Sequence, residues 1–252
     1  MFDLTGRIAI VTGGNGGIGF GLARGLARAG ASVAIAARNE EKSAAAASEI
    51  AEAGGTALAV AADVTSEDSI AAMVQAVVRR FGRLDILVNN AGTNIRKLPQ
   101  DYSTVEWHRV IDTNLTSTFL CSTAAFPEMR TAGAGKVINI GSMMSIFGAP
   151  WTPAYAASKG GVVQLTRSLA TAWAPDNIQV NCILPGWIDT ELTEAARRDV
   201  PGLNEKVLAR TPAARWGRPE DLMGIAVFLA SAASDFVTGT AIPVDGGYSV
   251  LG

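Results

Sequence analysis

Three side chains with reactive polar tips fall close together in this 252-residue chain: Ser142, Tyr155 and Lys159. The stretch Tyr155-Ala156-Ala157-Ser158-Lys159 puts a phenol and an ammonium at i and i+4. On a helix those positions share a face. An ammonium beside a phenol favours the phenolate and lowers a pKa that is ordinarily near 10. Upstream, Asn139-Ile140-Gly141-Ser142 reads as a strand end, where a hydroxyl is placed to donate to an oxygen that gains negative charge. The bare Tyr-x-x-x-Lys spacing is common, and a surface cation beside a packed ring would satisfy it equally well. What singles it out is its order in the chain, after a strand-end Ser and a glycine-rich turn. That turn, Thr12-Gly13-Gly14-Asn15-Gly16-Gly17-Ile18-Gly19, follows a β-branched run and opens a helical segment. Glycines there let backbone approach a pyrophosphate, and a helix N-terminus offers free amides and a positive dipole end. The turn residues Gly13, Asn15, Gly16, Gly17, Ile18 and Gly19 are therefore candidate cofactor contacts. A tight turn without a ligand is the plainer alternative.

Elements that would position these groups are readable from hydrophobic pattern. Strands are expected at 7–12, 32–37, 56–61, 84–89, 136–140, 178–183 and 241–244. Most are continuously apolar, as parallel strands buried on both faces require. Helices are expected at 17–29, 40–53, 66–81, 105–130, 153–173 and 219–231. Capping residues and early acids mark starts at Thr65 to Asp68 and Arg218 to Asp221, while Gly30, Gly54 and Gly82 mark stops. Strict alternation predicts an α/β fold, one doubly wound parallel sheet with helices on both faces. With no repeat, linker or composition break, residues 1–252 read as one domain. An irregular insertion at about 185–216 is the expected substrate loop.

The second strand ends Ala36-Ala37-Arg38-Asn39. A carboxylate there would accept hydrogen bonds from an adenosine ribose and repel a 2′-phosphate. Ala37 offers none, and Arg38 offers a guanidinium suited to phosphate. The reading prefers NADP(H), with NAD(H) possible. Gly16 supplies no second basic group.

Composition narrows the function classes. The chain has 21 Lys+Arg against 23 Asp+Glu, a net charge of -2, so a nucleic-acid partner lacks its electrostatic driving force. The longest apolar stretch, near 224–233, is about half of the roughly 20 residues a membrane span needs. No membrane partner is expected. Cys121 and Cys182 match no metal spacing and read as reduced thiols of a cytoplasmic protein. No metal site is expected, and the single His, His108, reads as structural. Charged residues are 17%, against roughly 25% in an average domain. Buried strands and a subunit interface would explain the deficit. The helix after Pro153 is the expected interface, through Ala154, Ala156, Val162, Val163, Leu165, Leu169, Ala170 and Trp173, with the C-terminal Tyr248 to Gly252.

The chain resembles the short-chain dehydrogenase/reductase family over essentially its whole length. The resemblance rests on Thr12-Gly13 to Gly19, Asp63-Val64, Asn89-Asn90-Ala91-Gly92, Asn114, Ser142, Tyr155 with Lys159, Pro185-Gly186 with Thr190, and Asp245-Gly246-Gly247. It implies a seven-stranded parallel sheet, a nicotinamide cofactor and a homotetramer or homodimer. By position, Asp63 and Val64 would border the adenine. Asn90, Ala91 and Gly92 would support the sheet beside the cofactor. Pro185, Gly186, Ile188 and Thr190 would border the nicotinamide, with Ile188 and Thr190 holding its carboxamide. Tyr155 would be the acid/base. Lys159 would tune it and bind the nicotinamide ribose. Ser142 would stabilise the substrate oxygen, and Asn114 would anchor a water joining Lys159 to solvent. With no second His, carbonyl reduction must take its proton from such a tuned phenol.

Within the family the chain looks like the sugar-acid dehydrogenases of gluconate 5-dehydrogenase and 2-deoxy-gluconate type. Arg96 would then fork onto a carboxylate, or else be a surface residue. Asn94, Met143, Met144, Trp151, Trp187 and Leu192 would line a substrate pocket, one more apolar than a free sugar acid needs. A bulkier alcohol or ketone and a 3-oxoacyl thioester are the competing substrates. Arg215-Trp216-Gly217 reads as a structural anchor. A cofactor-sensing protein without chemistry is the competing class, and it usually lacks Ser, Tyr or Lys.

Overall fold

Continuous apolar runs settle where the sheet lies. The computed structural model describes residues 1–251, apart from the side chains of Leu192 and Ala195. The first half runs β1 (Ile8–Thr12), α1 (Gly17–Arg28), β2 (Ser32–Ala37), α2 (Glu40–Glu52), β3 (Thr56–Ala61), α3 (Glu67–Phe81) and β4 (Ile86–Asn89). It continues with α4 (Thr104–Ile111), α5 (Ser117–Thr131), β5 (Gly135–Ile140), α6 (Pro153–Trp173) and β6 (Ile178–Pro185). The last part holds α7 (Glu191–Asp199), α8 (Leu203–Arg210), α9 (Met223–Ala230) and β7 (Ala241–Val244). The seven strands form one sheet in the order β3-β2-β1-β4-β5-β6-β7, and every pairing is parallel. The strand order reverses between β1 and β4, which opens a crevice at the strands' C-terminal ends.

One apolar layer packs α1 and α9 against one sheet face, through Leu22, Leu26, Val33, Ile35, Leu222 and Leu229. The other packs α3, α5 and α6 against the opposite face, through Ile10, Met73, Val77, Leu87, Met129 and Leu169. At the far end of the sheet from the crevice, buried Asp85 accepts from Arg7, Arg83 and the Ile8 amide, tying β1 to the chain before β4.

Three departures from the sequence reading matter. The helix expected over 105–130 is interrupted: Asp112–Thr116 forms a π turn between α4 and α5. The insertion at 185–216 is not irregular, since it folds into α7 and α8. The expected interface helix spends only part of its apolar residues inside the chain, since Ala156, Leu165 and Trp173 stay partly exposed. Ala154, Val162, Val163, Leu169 and Ala170 are buried in the chain's own core. The large apolar side chains left exposed include Val250 and Leu251 of the expected C-terminal segment, and also Val105, Trp107 and Phe119.

The glycine-rich turn is aimed by how closely α1 approaches the short turn before α9. A Cβ added at Gly21 would lie 2.6 Å from the Pro219 Cβ and 2.8 Å from its carbonyl oxygen. Overpacking at such a contact costs about 1–3 kcal/mol. Gly21→Val is expected to lower the urea midpoint accordingly. An unchanged midpoint would contradict the close approach.

Candidate active site

Ends of β1, β4, β5 and β6 border one cleft of about 710 Å³. It is lined by Gly13, Asn15, Gly16, Gly17, Ile18 and Gly19 from the first turn, and by Asn90, Ala91 and Gly92 after β4. Ser142, Met143 and Met144 follow β5, Trp151 lies in the turn before α6, and Tyr155 and Lys159 come from the start of α6. Pro185, Gly186, Trp187, Ile188 and Thr190 line it at and after β6, with Asn94 and Arg96 from the long loop after β4. Arg38, Asn39, Asp63, Val64 and Asn114 are not in the lining. The expected place of the Leu192 side chain lies outside the described residues.

The turn has the shape a dinucleotide requires. α1 begins at Gly16 with no side-chain cap, which leaves its first amides for a ligand. A Cβ at Gly19 would fall 2.2 Å from the Gly13 carbonyl oxygen and 2.3 Å from the Asn90 amide nitrogen, so only glycine fits. Asn90 Nδ2 donates to the carbonyls of Thr12 and Gly13, and Thr12 Oγ1 accepts from the amides of Asn90 and Ala91. These bonds lock the loop after β4 onto the turn. The residues present fit a nicotinamide dinucleotide.

Around the second strand's end, exposed Arg38 faces Asp63. Two hydrogen bonds from Thr65, and more weakly the Arg38 charge, hold the Asp63 carboxyl below its ordinary value. Asn39 spends its Oδ1 capping α2 through the Lys42 amide. Val64 packs in the core. The sequence reading found no second cation near Gly16, and the structure supplies one. Lys42 Nζ lies 3.1 Å from where a Gly16 side chain would begin. It also reaches both carboxylate oxygens of Glu191, at 2.8 and 3.0 Å, across the cleft. Helical pitch from the Asn39 cap was the available signal for Lys42.

The reactive group is dry. Lys159 is 4% exposed, and its Nζ donates to the Ile140 carbonyl at 2.7 Å and stands 5.7 Å from the Tyr155 ring centre. Burial draws Lys159 down to about 8, with Cys182 opposing. Burial also raises the Tyr155 phenol above its ordinary value, while the Ser142 hydroxyl and then the Arg96 charge push it back. The sequence reading expected a lowered phenol. Desolvation outweighs both the hydroxyl and the Arg96 charge, so the shift runs opposite to that expectation. Ser142 Oγ accepts from the Met144 amide at 3.2 Å, which fixes the turn carrying it. Cys121 and Cys182 are pushed by burial up to about 12 and about 11, so neither is a thiolate at neutral pH.

Asn114 explains the π turn. Its Nδ2 donates to the Thr93 carbonyl and to Ser158 Oγ, both at 3.0 Å, and its Oδ1 accepts from the Thr93 amide at 2.8 Å. The extra residue in the turn brings this amide between the loop after β4 and α6. Its side chain is thus committed to protein partners, one of them on the residue before Lys159. π turns concentrate at functional sites for this kind of reason.

The substrate end carries the expected Met143, Met144, Trp151 and Trp187 together with polar groups. Asn94 Oδ1, Thr152 Oγ1 and Trp187 Nε1 are buried without a hydrogen-bond partner, and all three residues line the cleft. Buried polar atoms are ordinarily paired, so these three mark positions for a polar ligand. Lys206 and Arg210 of α8 also line it. Trp216 and Arg215 lie outside: Trp216 Nε1 donates to Asn204, and Arg215 pairs with Asp221. His108 is exposed on α4. Among the described residues no His, Cys, Asp and Glu cluster could hold a metal ion, and no helix is long and apolar enough to cross a membrane.

The buried cation has a stability signature. Unfolded, Lys159 keeps its proton up to about 10.5; folded, it gives it up near 8. Folding is therefore penalised below about pH 8, and the penalty is relieved as pH rises through that window. Lys159→Met is expected to gain on wild type by about 1–3 kcal/mol at pH 7, with the gap closing by pH 10. Urea titrations at the two pH values check this. A variant less stable than wild type at pH 7 would contradict it.

Residues 13–249 match the family described as Enoyl-(Acyl carrier protein) reductase. The chain is 43% identical over 248 residues to the 2-dehydro-3-deoxy-D-gluconate 5-dehydrogenase of Escherichia coli (strain K12), covering 98% of this chain and 97% of that one. It is 40% identical over 250 residues to the gluconate 5-dehydrogenase of Gluconobacter oxydans, covering 99% and 97%. A crystal structure of a gluconate 5-dehydrogenase from Burkholderia cenocepacia J2315, in complex with NADP and tartrate, superposes with a TM-score of 0.94 at 42% identity, over 99% and 97% of the two chains. With the sheet order, the glycine turn and the Ser142, Tyr155 and Lys159 group, these matches establish that the chain belongs to the short-chain dehydrogenase/reductase family, oxidoreductases that move a hydride between a nicotinamide cofactor and a CH–OH carbon.

Proposed function

We propose that this enzyme interconverts a keto sugar acid and its hydroxy acid with NADP(H), NAD(H) serving less well. One observation carries the substrate class: the substrate end of the cleft combines three orphaned buried polar atoms with the cations Arg96, Lys206 and Arg210. Hydroxyls would pair the orphaned atoms, and a carboxylate would pair a cation. A plain aliphatic ketone would leave both unpaired, at a cost. The names of the full-length relatives support the same class, and the Burkholderia relative's NADP supports the cofactor.

When bound, the reduced cofactor supplies the hydride and then carries positive charge on its ring. Tyr155 gives its phenolic proton to the carbonyl oxygen as the carbon accepts the hydride, leaving an alcohol. Ser142 donates a hydrogen bond to that oxygen in the transition state. Lys159 stabilises the phenolate left behind and holds the nicotinamide ribose. Asn114 positions the loop at Thr93 and the first turns of α6. The turn from Gly13 to Gly19 holds the diphosphate. Arg38 holds a 2′-phosphate, with Lys42 as a second cation. Asp63 and Val64 border the adenine, and Ile188 and Thr190 hold the carboxamide. Residues 1–252 act as one domain, with 185–216 as the substrate segment. A homotetramer or homodimer belongs to the same reading, supported by exposed Val105, Trp107 and Phe119. So does a cytoplasmic location, supported by two buried free thiols.

A screen of keto sugar acids, aliphatic ketones and acetoacetyl thioesters, run with NADPH and NADH in parallel, tests the reading. The expected result is fastest turnover of a keto sugar acid with NADPH, lowered roughly 10³-fold or more by Tyr155→Phe while NADPH still binds. Preference for a thioester or an unsubstituted ketone would overturn the substrate class. Turnover near wild type in Tyr155→Phe would overturn the proton donor.

A further inference from the structure

α8 presents one cation to the cleft between two aromatic rings. The guanidinium carbon of Arg210 lies 4.7 Å from the Phe147 ring centre and 4.6 Å from that of Tyr248. The two rings meet edge-on, 6.2 Å apart at 74°, so they form two walls of one slot. Each wall is anchored. The Phe147 amide donates to the Met143 carbonyl at 2.9 Å, within the turn that begins at Ser142. The Tyr248 amide donates to the Asp245 carbonyl at 3.2 Å.

Arg24, Arg197, Arg215 and Lys42 all hold carboxylates. Arg210 has no ion pair among the described residues. A guanidinium packed on rings is held by cation–π attraction, remains charged at every working pH, and keeps N–H groups for two parallel bonds to a carboxylate. It enters from α8, and Tyr248 from the segment after β7. Ser142 follows β5 and Tyr155 and Lys159 come from α6, so α8 and the segment after β7 bring the guanidinium to the cleft from other elements. Arg96, by contrast, acts on the Tyr155 phenol.

We infer that Arg210, held by Phe147 and Tyr248, is the residue that selects an acid substrate, binding a carboxylate at the end remote from the reacting carbon. This rests on the keto sugar acid reading and names the group that enforces it. It separates two kinds of acid. A 2-oxo acid carries its charge beside the reacting carbonyl. A 5-oxo acid carries it several carbons away, where the slot would take it.

The test compares kcat/KM for NADPH-dependent reduction of 5-keto-D-gluconate and of its neutral C1 amide, in wild type, Arg210→Met, Arg210→Lys and Arg96→Met. Wild type is expected to favour the acid by roughly 10- to 100-fold, the worth of a charge-assisted bond. Arg210→Met should bring the ratio near one by raising KM for the acid. Arg210→Lys should keep part of the preference. An unchanged ratio in Arg210→Met, an equal loss on both substrates, or a ratio abolished by Arg96→Met alone would overturn the assignment. If wild type reduces a neutral ketone but not the acid, the sugar-acid reading itself falls, and the role of Arg210 with it.

Discussion

A buried ammonium with one protein partner sets the terms for the rest of this structure. Lys159 is taken out of water and given a single carbonyl, that of Ile140, in exchange. An ammonium has three donors and a full charge, and one neutral acceptor does not offset its lost hydration. The same dry environment raises the phenol beside it. The ammonium is therefore held in a state that costs stability at neutral pH, beside a phenol kept in its neutral form. Such costs are typical of sites kept for chemistry.

The surrounding architecture is the means of holding that cost in place. β5 delivers the Ile140 carbonyl and, two residues on, Ser142. Helix α6 delivers Tyr155 and Lys159 one turn apart. Asn114 fastens α6 to the loop after β4, and Asn90 fastens that loop to the glycine turn. The cofactor side and the reactive side are thus joined by short polar bonds across strand ends. A shift of the turn would be felt at Ser158 through two amides.

Much of this was legible in the sequence because the signals are local. Seven strands announced themselves as apolar runs, and Tyr155 with Lys159 as helical spacing. The glycine turn was readable from its place between strand and helix. What escaped depends on residues distant in the chain. Nothing between 105 and 130 marks a π turn, because its cause is Asn114 bonding to Thr93 and Ser158. Lys42 reaches Gly16 only because α2 begins beside the turn. Arg210 lies in a segment with weak apolar pattern, whose helix begins after Gly202 with no side-chain cap to announce it. The pocket's Met and Trp lining was legible, whereas the polar atoms left unpaired among them depend on the folded arrangement. For α6, the apolar pattern does not separate residues the sheet beneath needs, such as Val162 and Leu169, from those left partly exposed, such as Leu165 and Trp173.

The central claim is that burial keeps the Tyr155 phenol neutral until the positive charge of an oxidised nicotinamide and the Lys159 ammonium together favour its ionisation. The chain has three tyrosines, so ionisation is countable by ultraviolet difference spectroscopy. The measurement is a pH titration of phenolate absorbance in the free enzyme and with saturating NADP⁺, repeated in Tyr155→Phe. The account expects the phenolate that is absent from the variant to form above the ordinary phenol range in the free enzyme, and at lower pH with NADP⁺. Identical titration curves with and without NADP⁺, or a phenolate already formed near neutral pH in the free enzyme, would contradict it.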